Sequence, residues 1–175
     1  MGDNVARFSR IALPSGLDDD GMLHWLNNIN VDAVVCSGSR RNVTTWEEWM
    51  DSAASLMRVA STSGSPTLGI CFGHQLLCKS LGSEVTRAEK MSSGVWEMIL
   101  NKDGMCDELF ETRWESGRGP EVVYSHQDHV ITVPDNCILL GSAEHNTVTA
   151  VRIVDSRDKK MPAWGVQFHP EAARP

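Results

Sequence analysis

The chain predicts an α/β fold, a mostly parallel twisted sheet covered by helices on both faces, with a small antiparallel sheet beside it. Short apolar runs alternate with stretches whose apolar residues recur at helical spacing, the pattern of strands alternating with helices. Turn residues close these runs, Ser37-Gly38 after the first strand and Gly82 after a later helix. At 175 residues the chain is read as one domain, 1–175, long enough to bury a core on both faces of a sheet.

The elements follow in order. Met22, Leu23, Trp25, Leu26 and Ile29 recur behind the acidic cluster Asp18-Asp19-Asp20, so a helix is expected over 22–29, because carboxylates favour the positive end of its dipole. Ala33-Val34-Val35-Cys36 reads as a buried strand. Thr44 or Thr45 with Glu47 or Glu48 forms a capping box. Trp46, Trp49, Met50, Ala53 and Met57 then recur at helical spacing, which places both tryptophans in the core. Residues 61–66 read as a turn, 67–70 as a strand and 72–81 as a helix ended by Gly82. Strands are expected at 84–87 and 95–100 around a Ser92-Ser93-Gly94 turn, and again at 122–124, 137–141, 147–154 and 163–168. Residues 101–120 are polar and irregular, and 111–119 are expected to be mobile.

Composition removes several function classes. A net charge of −7 with no dense Lys/Arg cluster argues against nucleic-acid or membrane-surface binding, since both need a positive field at the contact. No apolar run reaches membrane-spanning length, and Met1-Gly2-Asp3-Asn4 does not open a signal peptide, so the cytoplasm is expected. Cys36, Cys71, Cys78, Cys106 and Cys137 are odd in number and form no C-x-x-C pair, so neither a disulfide framework nor a zinc site is indicated. Cys78, two helical turns beyond Cys71, reads as core. His126, Asp128 and His129 do not complete a tetrahedral ligand set, so no metal and no cofactor is expected.

Gly69-Ile70-Cys71-Phe72-Gly73-His74-Gln75 carries the chemistry. A cysteine between glycines, after an apolar run and before a helix, suits a nucleophile elbow, because the sharp turn needs small neighbours. The following helix aims its free N–H groups at the sulfur. By itself the motif leaves nucleophile and buried core residue equally open. The second signal is Trp164-Gly165-Val166-Gln167-Phe168-His169-Pro170-Glu171, where His169 and Glu171 stand two apart, on one face of an extended segment. A Cys–His pair needs such a third group to hold the imidazole.

Together these motifs resemble the class I glutamine amidotransferases, whose triad is Cys, His and Glu. The resemblance runs from about Val34 to Glu171. Val35-Cys36-Ser37-Gly38-Ser39-Arg40 is similar to the family's oxyanion loop, and Val123-Tyr124-Ser125-His126-Gln127-Asp128 to its substrate-holding S-H-x-D segment. The nearest likeness is to GMP synthase-type domains and γ-glutamyl peptidases. The resemblance implies a flavodoxin-like fold with Cys71, His169 and Glu171 catalytic, and with the N–H groups of Gly38 and Phe72 as the oxyanion hole. It also implies that Gln75, Ser125 and His126 bind substrate, while His74 reads as structural. The substrate implied is L-glutamine or a γ-glutamyl compound. Three readings follow: a glutaminase feeding a separate synthetase protein, a stand-alone γ-glutamyl peptidase, and a silent regulatory protein, against which the intact triad weighs. Arg7 to Leu13 is short and mixed where the family opens with an apolar strand, and the chain stops four residues after Glu171 where the family adds a helix. A domain shortened at both ends is therefore expected.

Overall fold

The structure is a computed structural model that describes residues 7–110 and 118–172. Helix α1 (Asp19–Asn28) is capped by Asp18, whose carboxylate accepts from the Gly21 N–H at 2.8 Å, while Asp19 and Asp20 sit in the first turn. Next come β1 (Val34–Cys36), α2 (Trp49–Ser63), β2 (Thr67–Ile70) and α3 (Phe72–Ser80). Beyond them lie β3 (Val85–Glu97), β4 (Ile99–Leu100), α4 (Lys102–Met105) and a 3₁₀ turn at Glu108–Phe110. Strands β5 (Glu121–Val130), β6 (Cys137–Ala143), β7 (Asn146–Val154) and β8 (Lys160–Val166) complete the fold.

The expected α/β architecture and small antiparallel sheet are both present. The main sheet has six strands in the order β1-β2-β8-β7-β6-β4, and β3 pairs with β5 in a separate antiparallel ribbon. Only β1, β2 and β8 run parallel, so the sheet is mixed rather than mostly parallel. Connection length explains this. Two residues join β6 to β7 and five join β7 to β8, far too few for the crossover a parallel pair requires.

Two apolar layers flank the sheet. On one face, Met50, Ala53 and Met57 of α2 and Leu76 and Leu77 of α3 pack with Val151, Ile153 and Ala163. On the other, Met98, Leu100, Leu140 and Val166 pack with Phe110, Tyr124 and Phe168. Helical cover is therefore unequal, long helices on the first face and the four-residue α4 with its 3₁₀ turn on the second. Each fully buried Leu or Met contributes about 2 kcal/mol of transfer free energy to these layers.

Local readings fail where tertiary contacts outbid them. The capping box is absent: α2 begins only at Trp49, with no side-chain cap. Thr44 gives its N–H and hydroxyl to Asp128 Oδ2 at 2.8 and 2.7 Å, since a buried carboxylate is the stronger acceptor. Trp46 and Trp49 are 39% and 45% exposed rather than core; Trp49 stacks on Phe72 from outside. The turn expected from Ser61 starts at Gly64, because the hydroxyls of Ser61, Thr62 and Ser63 donate back to helix carbonyls and Gly64 supplies a left-handed cap at φ 96°. No turn interrupts residues 92–94; β3 continues through them along β5, with a register shift between Arg87 and Ser92. The segment expected to be mobile falls for the most part outside the described residues.

All five cysteines are free and Cys78 is fully buried. Among the described residues no three metal-ligating side chains cluster, and no helix is long and apolar enough to cross a membrane.

Candidate active site

The site stands at the carboxyl ends of the three parallel strands, the place where α/β sheets hold ligands. Gly38, Cys71 and His169 are far apart in sequence, yet they follow β1, β2 and β8, which are neighbours in the sheet. Cys71 sits at the β2–α3 junction with φ 51° and ψ −102°, a strained backbone for a residue with a side chain. Its glycine neighbours are needed for close approach. A Cβ on Gly69 would stand 2.6 Å from the Gly73 carbonyl oxygen, and one on Gly73 would run into the Cys36 carbonyl.

His169 is held by its backbone and its ring. Its N–H donates to the Val123 carbonyl of β5 at 2.8 Å, and Nδ1 lies 2.8 Å from Glu171 Oε1. A carboxylate only accepts, so Nδ1 carries the proton, and the neutral ring keeps its lone pair on Nε2. That Nε2 is buried and without a partner. Gly38 lies close to both His169 and Cys71: a Cβ there would be 2.8 Å from His169 Cε1 and 3.7 Å from Cys71 Cβ.

Cys71 Sγ donates to the Ser125 carbonyl oxygen at 3.8 Å rather than to His169. Burial pushes its pKa up to about 11; the Phe72 N–H and the Gln167 side chain act in the opposite direction, while the Glu171 charge adds to the rise.

The remaining expected residues divide. Ser125 is exposed and presents its carbonyl to the sulfur. His126 is buried; Nδ1 donates to the Asp128 carbonyl at 3.0 Å, leaving an unpartnered Nε2 acceptor. Gln75 is buried and its amide nitrogen is committed, to the Asp128 carbonyl at 2.6 Å and to Gln167 Oε1 at 3.1 Å. His74 is structural, with Nε2 donating to the Val148 carbonyl at 3.2 Å and Nδ1 3.6 Å from the Cys78 sulfur. The sequence motifs assign no role to Gln167, although it stands inside the second of them, two positions before His169. Alternation along a strand end was the available signal, since it puts residues two apart on one side.

The family model for Glutamine amidotransferase class-I matches residues 13–174. The chain belongs to the class I glutamine amidotransferase family. Among relatives of this amidotransferase chain, the GMP synthase [glutamine-hydrolyzing] of Rhizobium etli is 34% identical over 139 residues, covering 79% of the chain and 24% of that protein. A shorter relative from Sulfurisphaera tokodaii, which is one subunit of a GMP synthase [glutamine-hydrolyzing], is 34% identical over 145 residues, covering 80% of the chain and 67% of the relative. The amidotransferase chain thus spans about a quarter of the Rhizobium protein and two thirds of the Sulfurisphaera one. A solved glutamine amido transferase from Methylobacillus flagellatus shares the fold with a TM-score of 0.66 at 23% identity, covering 81% of the chain and 53% of that structure.

Proposed function

We propose that this amidotransferase domain is a glutaminase that hydrolyses the side-chain amide of L-glutamine through a γ-glutamyl thioester on Cys71. Its ammonia passes to a separate synthetase partner, in the manner of a GMP synthase-like pair. The observation that carries this reading is the convergence of Gly38, Cys71 and the His169–Glu171 pair at the ends of three adjacent strands.

The chemistry follows from that geometry. Cys71 leaves the Ser125 carbonyl and gives its proton to His169 Nε2, the nitrogen that Glu171 keeps unprotonated. The thiolate attacks the amide carbon of glutamine, and the oxyanion is met by the N–H groups of Phe72 and Gly38, each such donor being worth roughly 3 kcal/mol in a transition state. His169 protonates the leaving nitrogen, which departs as ammonia, then takes a proton from the water that cleaves the thioester to glutamate. Ser125 and His126 hold the amino-acid end of the substrate; the free Nε2 acceptor of His126 suits its ammonium group.

The test is ammonia release from L-glutamine by purified protein, with Cys71→Ala as control and a γ-glutamyl dipeptide in parallel. Glutamine turnover that disappears in Cys71→Ala is expected. Preference for the dipeptide would replace the glutaminase with a peptidase. A folded protein inert toward both substrates, alone and in the presence of a synthetase partner, would overturn the reading.

A further inference from the structure

The Gln167 side chain is fully buried, yet its Nε2 has no hydrogen-bond partner. An unpaired buried amide N–H costs about 1–3 kcal/mol, so each one in a native core calls for an explanation. Which end of the amide is which follows from a chain of acceptors. The Asp128 main-chain carbonyl can only accept, so Gln75 must turn its nitrogen toward it, at 2.6 Å. The same nitrogen donates to Gln167 Oε1 at 3.1 Å. With its oxygen engaged there, Gln167 holds Nε2 on the other side of the amide. Cys71 stands beside Gln167 across the paired ends of β2 and β8, since Ile70 pairs with Val166 and the Cys71 N–H donates at 2.8 Å to the Val166 carbonyl. The Gln167 side chain acts on the sulfur in favour of its charged form.

We infer that Gln167 is a further catalytic residue whose Nε2 N–H donates to the Cys71 thiolate, and that Gln75 is the positioning residue that aims it. The inference rests on Cys71 being the nucleophile. A thiol is a weak acceptor and leaves the Gln167 N–H unpaired; a thiolate is a strong one and satisfies it. The proton lost from sulfur goes to His169 Nε2. Gln167 therefore interacts better with the activated form than with the resting one, as a group that lowers a barrier must. Other groups around the sulfur pull both ways: the Phe72 N–H favours the thiolate, while the Glu171 carboxylate and burial oppose it. The Ser125 carbonyl, as an acceptor, favours the thiol.

The experiment is the pH dependence of Cys71 alkylation by iodoacetamide in the full chain, read from the mass of the peptide that carries Cys71. That reading separates it from exposed Cys106 and the other thiols. In Gln167→Met the alkylation midpoint is expected to rise by about one pH unit, so the rate below it falls about tenfold. Gln75→Met should move the midpoint the same way by less, and the double variant no further than Gln167→Met alone. A wild-type profile in folded Gln167→Met overturns the inference. Should that variant fail to fold, Gln75→Met decides, because it leaves the packing of Gln167 in place; an unchanged profile there overturns it equally. Alkylation needs no glutamine, so a shifted midpoint in a protein that never releases ammonia would count against the glutaminase alone.

Discussion

A methyl group on Gly38 would stand 2.8 Å from the His169 ring, closer than packed carbon atoms tolerate. The ring would have to swing away from Cys71, breaking the proposed alignment of base and nucleophile. Gly38→Ala is therefore expected to lower kcat about a hundredfold, the scale on which small misplacements act. Its thermal midpoint should stay close to wild type, because the ring can move without opening the core. Steady-state ammonia release beside a melting curve checks both, and native kcat in Gly38→Ala would show that this gap is not what aligns the pair. Glycine at this position thus has a steric meaning in addition to the N–H implied by its loop.

The segment between β1 and α2 is held from outside itself. Thr44 gives two donors to Asp128, whose carboxylate is buried and meets Arg87 only at 4.0 Å. The main-chain carbonyl of the same residue orients Gln75 and His126. Thr44→Val removes one donor from a buried charge while keeping volume, which should cost about 1–3 kcal/mol. Urea denaturation measures it, and a cost near zero would mean that the backbone N–H alone anchors the loop. In sequence, Thr44 with Glu47 was legible as a cap; what could not be read was Asp128, 84 residues away, competing for the same hydroxyl.

Buried neutral histidines make the whole molecule sensitive to acid. Burial lowers the pKa of His74 and of His126 to about 4, and that of His145 below its ordinary value. Their folded values lie below the unfolded 6.5, so their contribution is complete above about pH 6.5 and is lost as pH falls toward 4. Full protonation of either His74 or His126 would cost on the order of 3 kcal/mol. Asp19, kept low mainly by its hydrogen bond from Arg58, continues the loss at lower pH. The melting temperature should be flat between pH 7 and 8 and fall between 6.5 and 4. His74→Gln, which retains a donor for the Val148 carbonyl, should shallow that slope. A wild-type melting temperature constant from pH 7 to 4.5 would refute it.

The sequence by itself determined the elements whose signals are local: the acidic start of α1, β2, the elbow, α3 ending near Gly82, and the alternation that makes an α/β fold. It also offered Cys71, His169 and Glu171 as candidates, through two short motifs that the family resemblance joins. Tertiary structure alone decided the strand order that brings Gly38, Cys71 and His169 together, and the outward placement of Trp46 and Trp49. It alone committed the Gln75 nitrogen to Asp128 and Gln167. These depend on hydrogen bonds and packing between residues tens of positions apart. Such partners compete with local preferences on equal energetic terms, and no window along the chain contains both sides of the contest.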